Sequence, residues 1–80
     1  MNEQNEKWLN LLYCANIDPV PEIASGKITQ VFINSNTNSW RICVELERLI
    51  SVNLIYKIIK GIINYINQIT DVKNIYFDWS

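Results

Sequence analysis

Eight carboxylates, seven Lys or Arg side chains, two cysteines and no histidine are all that these 80 residues offer to acid–base, nucleophilic or metal chemistry. General acid–base catalysis needs a titratable group held at the reacting proton, and the residue most often used for it is absent. A zinc site needs Cys or His in closely spaced sets, whereas Cys14 and Cys43 stand alone and far apart. Two-metal nucleotidyl transfer needs carboxylates gathered around the ions. Asp18, Asp71 and Asp78 fall at turns or near a chain end, and Glu45 and Glu47 share the solvent side of one strand. The 80 residues therefore read as non-catalytic, with no metal and no cofactor. Two lone cysteines, after a start (Met1-Asn2-Glu3-Gln4-Asn5-Glu6) that lacks the form of a signal peptide, point to reduced, partly buried thiols in a cytoplasmic protein.

What remains is the chemistry of contact, and the elements decide which side chains can share a surface. A first helix is expected over residues 4 to 16, with Trp8, Leu11, Leu12 and Ala15 on one side. Asp18-Pro19-Val20-Pro21 stops it, because proline lacks an N–H and forces its predecessor extended, and Ser25-Gly26 supplies a turn. A strand follows over 27–35, with Thr29, Val31 and Ile33 on one face and Ile28, Gln30, Phe32 and Asn34 on the other. Asn36-Thr37-Asn38 makes a hairpin turn, since Asn tolerates positive φ. In the second strand Trp40, Ile42, Val44 and Leu46 alternate with Arg41, Cys43, Glu45 and Glu47, the mark of a strand buried on one face.

Ser51 is a good N-cap for a second helix over 51–68. Leu54, Ile55, Ile58, Ile59, Ile62, Ile63, Ile66 and Ile69 take up about half its circumference, and Gly61 lies on the polar side, where it weakens the helix slightly. Asn53, Lys57, Lys60, Gly61, Asn64 and Asn67 interrupt the apolar run too often for a membrane span. A third strand, 72–79, sets Ile75, Phe77 and Trp79 against Asn74, Tyr76 and Asp78. The order α-β-β-α-β gives an α+β two-layer sandwich: one domain over residues 1–80, with two helices on one face of a three-stranded sheet. A core this small leaves roughly 3–5 kcal/mol of net stability. The chain is 49% hydrophobic, carries a net charge of −1 and has a pI near 5.2. That balance argues against a general nucleic-acid binder, which would be basic.

Three surfaces come out of this placement. If Val31, Ile33, Trp40, Ile42, Val44, Ile75, Phe77 and Trp79 face the helices, then Phe32, Arg41, Cys43 and Tyr76 share the open side of the sheet. Two aromatics and an arginine there could seat a partner or stack bases, or simply pair across strands and shield the sheet. Leu9 and Tyr13, one turn apart at the edge of the first helix's apolar side, are a second candidate, unless they only widen the core contact. Lys57 and Lys60 are the third: a weak, salt-sensitive phosphate contact, or plain solvation of a polar helix face.

One family runs in this order. Trp8-x-x-Leu11-Leu12, Asn16-Ile17, Gly26-Lys27-Ile28, Val31 with Ile33, Ser39-Trp40, Leu49-Ile50 and Val72 together resemble the N-terminal module of PolC-type DNA polymerase III from low-GC Gram-positive bacteria, over about residues 5 to 78. Ser51 replaces a frequent proline, and Arg41, Cys43 and Glu45 replace a strand that is often basic or His-containing. The resemblance implies a module similar to truncated KH-like domains, cut from a longer polymerase chain with polymerase and proofreading-exonuclease domains. It implies contacts with replisome proteins, the clamp loader or another replication factor, rather than catalysis by these 80 residues. The Gly-x-x-Gly loop with which KH domains clamp a nucleic-acid backbone is missing, because Gly26 and Gly61 are the only glycines. An auxiliary single-stranded nucleic-acid binder, using the open sheet with Lys57 and Lys60, is the alternative reading. A small free-standing protein that dimerises through a sheet edge is a third.

Overall fold

The computed structural model describes residues 2–80. Its elements are α1 (Glu3–Cys14), α2 (Pro21–Ala24), β1 (Lys27–Asn34), β2 (Ser39–Glu45), α3 (Val52–Ile69) and β3 (Asn74–Trp79). Apart from the short α2 this is the expected α-β-β-α-β order. The sheet runs β1-β2-β3, with β1 antiparallel and β3 parallel to the central β2. A parallel neighbour needs a crossover, and α3 supplies it.

Local chemistry sets the element ends. Asn2 caps α1, its side chain accepting from the Gln4 N–H, and Ser51 caps α3 by accepting from the Leu54 N–H at 3.1 Å. At the far end of α1, Asn16 takes φ 60° while the Ile17 N–H donates to the Leu12 carbonyl and the Asn16 N–H to that of Tyr13. That is a Schellman cap, and its usual apolar contact is met by burial of Ile17 and Leu12. The helix accordingly ends two residues before the expected 16. Pro21, which ends one helix in the sequence reading, starts another: it occupies the first turn of α2, where its missing N–H costs nothing.

Trp8, Leu12, Ile23, Ile42, Val44, Ile58, Ile62 and Ile66 form the centre of the core, with Ile17 and Val72 at its margin. Trp8 is fully buried, meets Trp79 edge-to-face with ring centroids 6.4 Å apart, and donates from Nε1 to the Ile23 carbonyl at 2.8 Å. One turn earlier, Asn5 Nδ2 donates to the carbonyls of Ala24 (3.0 Å) and Gly26 (2.7 Å). Two α1 side chains thereby fix the turn from which β1 departs. Gly26 is required there by space, since its φ is not positive and a Cβ would lie 2.5 Å from Trp8 Nε1.

The structure corrects several expectations. A bulge between Ile28 and Gln30 shifts the register, so Ile28 pairs with Val44 on the core side instead of sharing a face with Phe32. Thr29 sits at the bulge and donates from Oγ1 to the Cys43 carbonyl. Val31 and Ile33 do lie on the helix side, opposite Ile42 and Trp40, yet remain 46% and 65% exposed. That end of β1 is thus left largely open to solvent. Gly61 is a contact position rather than a weak spot on a polar face: a Cβ would meet Ile17 Cδ1 at 2.8 Å, so its missing side chain lets α3 approach the end of α1. Cys14 is exposed, not partly buried; Cys43 is half-buried, and both thiols are free. No described helix is long and apolar enough to cross a membrane.

Candidate interaction surface

Register brings the open-face residues into rows. Arg41 of the central strand pairs with Phe32 of β1 and with Tyr76 of β3, so the three side chains stand side by side on the face away from the helices. Cys43 with Gln30 and Asp78 forms the next row, and Ser39 with Asn34 and Asn74 the one before. Phe32 and Tyr76 are 51% and 53% exposed. With Arg41, Asn34 and Ser39 they line a shallow hollow of about 270 Å³. The first sequence surface is therefore a physical neighbourhood.

Two turns hold this end of the sheet. Asn34 Oδ1 accepts from the N–H groups of Asn36 (3.0 Å) and Thr37 (3.4 Å), closing the hairpin. Asn38, at φ 51°, accepts on its carbonyl from the Lys73 N–H at 2.8 Å and donates from Nδ2 to the Asp71 carbonyl. The β1–β2 turn is thus tied to the segment that launches β3, and the three strands present the row as one surface.

Charge on the open face is balanced. Lys27 and Glu45 are register partners, and Arg41 is diagonal to Asp78. Glu3 with Lys7, at 3.8 Å, is the one ion pair among the described residues, which leaves the Arg41 guanidinium free to donate to a ligand. No three His, Cys, Asp or Glu side chains come together to hold a metal ion among the described residues.

The other two candidates lie elsewhere. Tyr13 is 85% exposed and Leu9 half-buried against the core. They border a hollow of about 640 Å³ with Cys14, Ile17, Asp18 and Pro19, remote from the row. Lys57 and Lys60 stand exposed on α3, on the far side of the two-layer domain. Phe32, Arg41 and Tyr76 share no face with them, so the residues of the combined nucleic-acid site expected from the sequence are divided between the sheet and helix layers. Sequence reading missed the pair formed by Cys14 and Tyr65 across α1 and α3. The hydrogen bond to the Cys14 sulfur and its charge, with some desolvation, raise the Tyr65 phenol above its ordinary value of 10.0.

Comparison with known proteins finds no matching family model, no matching curated protein and no matching solved structure.

Proposed function

We propose that this chain is a non-catalytic protein-interaction module which seats a partner on the helix-free face of its sheet. The observation that carries this reading is the Phe32–Arg41–Tyr76 row: two half-exposed aromatics flanking an unpaired arginine on the central strand. Aromatic residues and arginine are the side chains that most often dominate binding energy at protein interfaces. A face on which Lys27 and Arg41 are matched by Glu45 and Asp78 suits a protein better than a polyanion. The single-stranded nucleic-acid reading would draw on Lys57 and Lys60, which face the other way.

The order of sequence features supports a more specific placement, at the N-terminus of a PolC-type replicative DNA polymerase. There the module would act in the cytoplasm and hold replisome proteins against the polymerase. Several of the matching residues have structural work to do together: Trp8 stands over Gly26, and Asn16 with Ile17 closes α1.

The experiment is affinity capture of replication proteins on the wild-type domain and on the Phe32→Ala/Tyr76→Ala variant, at low and high salt. Capture that survives salt and is lost in the folded variant supports the reading. Equal capture by both removes the sheet face as the partner site. Binding of a single-stranded DNA oligonucleotide that collapses with salt would favour the nucleic-acid role.

A further inference from the structure

A further exposed apolar surface lies on α3, in the helix layer. Ile58, Ile62 and Ile66 turn into the core. Val52, Tyr56, Ile59 and Ile63 form another line, at alternating four- and three-residue steps, displaced around the helix from the first. Val52 and Tyr56 are 80% and 66% exposed. Ile59 and Ile63 are half-buried, and neither is among the partly buried side chains packed on the core. The line runs about 16 Å, three helical turns. It has the spacing with which one helix receives another. A hollow of about 620 Å³ beside it is lined by Tyr56, Ile59 and Ile63 together with the polar side of the same helix, from Lys57 to Asn67.

Charge says what that molecule is. All eight carboxylates of the chain lie outside α3, whose only charged residues are Lys57 and Lys60. Lys60 Nζ sits 5.9 Å from the centre of the Tyr56 ring, so its charge borders the apolar line. A second copy of this chain would bring the same two lysines and no acid on α3 to meet them. We infer that the Val52–Tyr56–Ile59–Ile63 flank of α3 is a docking site for an acidic amphipathic helix of another protein, with apolar residues at three- and four-residue spacing and Asp or Glu beside them. This site lies in the helix layer and shares no residue with the sheet face, so one domain can hold two partners at once.

The test uses the whole chain and two synthetic amphipathic peptides with identical leucine spacing, one flanked by glutamates and the other by lysines. Amide shifts in the protein locate the contact, and titration gives the affinity. The acidic peptide should bind about tenfold more tightly than the basic one, with shifts running along residues 52–63. Val52→Ser/Tyr56→Ser, both well exposed, should abolish binding in a folded domain. Lys57→Glu/Lys60→Glu should reverse the peptide preference. Equal affinity for the two peptides, shifts confined to the sheet face, or no binding by either would overturn the inference. So would binding only to vesicles of anionic lipid, or concentration-dependent self-association abolished by Tyr56→Ser.

Discussion

Replacing Gly26 with alanine adds one methyl group where the fold has no room for it. The backbone itself tolerates the change, since Gly26 does not adopt a positive φ. The cost is steric: the new Cβ would lie 2.5 Å from Trp8 Nε1 and 2.9 Å from both Trp8 Cδ1 and Leu46 Cδ2. Trp8 is fully buried and held by its 2.8 Å hydrogen bond to the Ile23 carbonyl, so it cannot swing aside freely. Overpacking a dense core costs about 1–3 kcal/mol, and a strained or broken bond to a buried indole about 1–3 more. A loss of about 3 kcal/mol would consume most of the roughly 3–5 kcal/mol such a small domain holds. Thermal unfolding followed by tryptophan fluorescence should show the midpoint fall by about 12–24 °C. Trp8→Phe removes Nε1, so combining it with Gly26→Ala should cost less than the sum of the single changes, by at least about 1 kcal/mol. A midpoint drop under about 4 °C for Gly26→Ala, or strict additivity with Trp8→Phe, would refute the reasoning.

Other expectations follow from the same geometry. Asn16→Ala puts a Cβ-bearing residue without a short polar side chain at φ 60° and should cost about 1 kcal/mol in urea titration, while Asn16→Gly should be neutral or stabilising. Ser51→Ala removes the acceptor for the Leu54 N–H and should cost about 1 kcal/mol, whereas Ser51→Asp should keep the cap. Tyr65 titrates above its ordinary 10.0 in the folded state, so the fold holds that proton longer than the unfolded chain does. Its share of stability is present below pH 10 and declines as pH rises beyond it. Cys14→Ala should move its NMR-monitored midpoint back down. Arg41→Ala should leave the unfolding midpoint within the range of a surface change, about ±0.5 kcal/mol, and should weaken capture of the sheet-face partner.

Regular periodicity carried most of the architecture. The strict alternation of β2 placed Trp40, Ile42 and Val44 inward and Arg41 outward, and the structure agrees. Ser51 and the isoleucine spacing located α3, and the Asn-rich turn was legible because Asn accepts positive φ. What escaped depends on contacts distant in sequence. A bulge at Thr29 reverses the parity of β1 and carries Ile28 to the core side, which a uniform period of two cannot reveal. Gly61 reads as a helix weakness until Ile17 is seen against it. The apolar half of α3 looked like a single core stripe. Only burial separates Ile58, Ile62 and Ile66 from the line through exposed Tyr56 and half-buried Ile63. For the sheet face, alternation alone grouped Phe32, Arg41 and Tyr76, and register brought them together. Lys57 and Lys60 could not be assigned to the opposite side before the layers were known.

The central claim is that the helix-free face of the sheet holds a replication protein. It is tested most directly by site-specific photo-crosslinking in cells of the source organism, with the photoreactive residue placed at Tyr76 in the row or at Cys43 beside it, and a parallel probe at Glu22 on the exposed surface of α2. We expect adducts to replication proteins from the two sheet positions and none from Glu22, unchanged when the lysate is treated with nuclease. Adducts to nucleic acid alone, or the same proteins captured from Glu22 as from Tyr76, would contradict the claim.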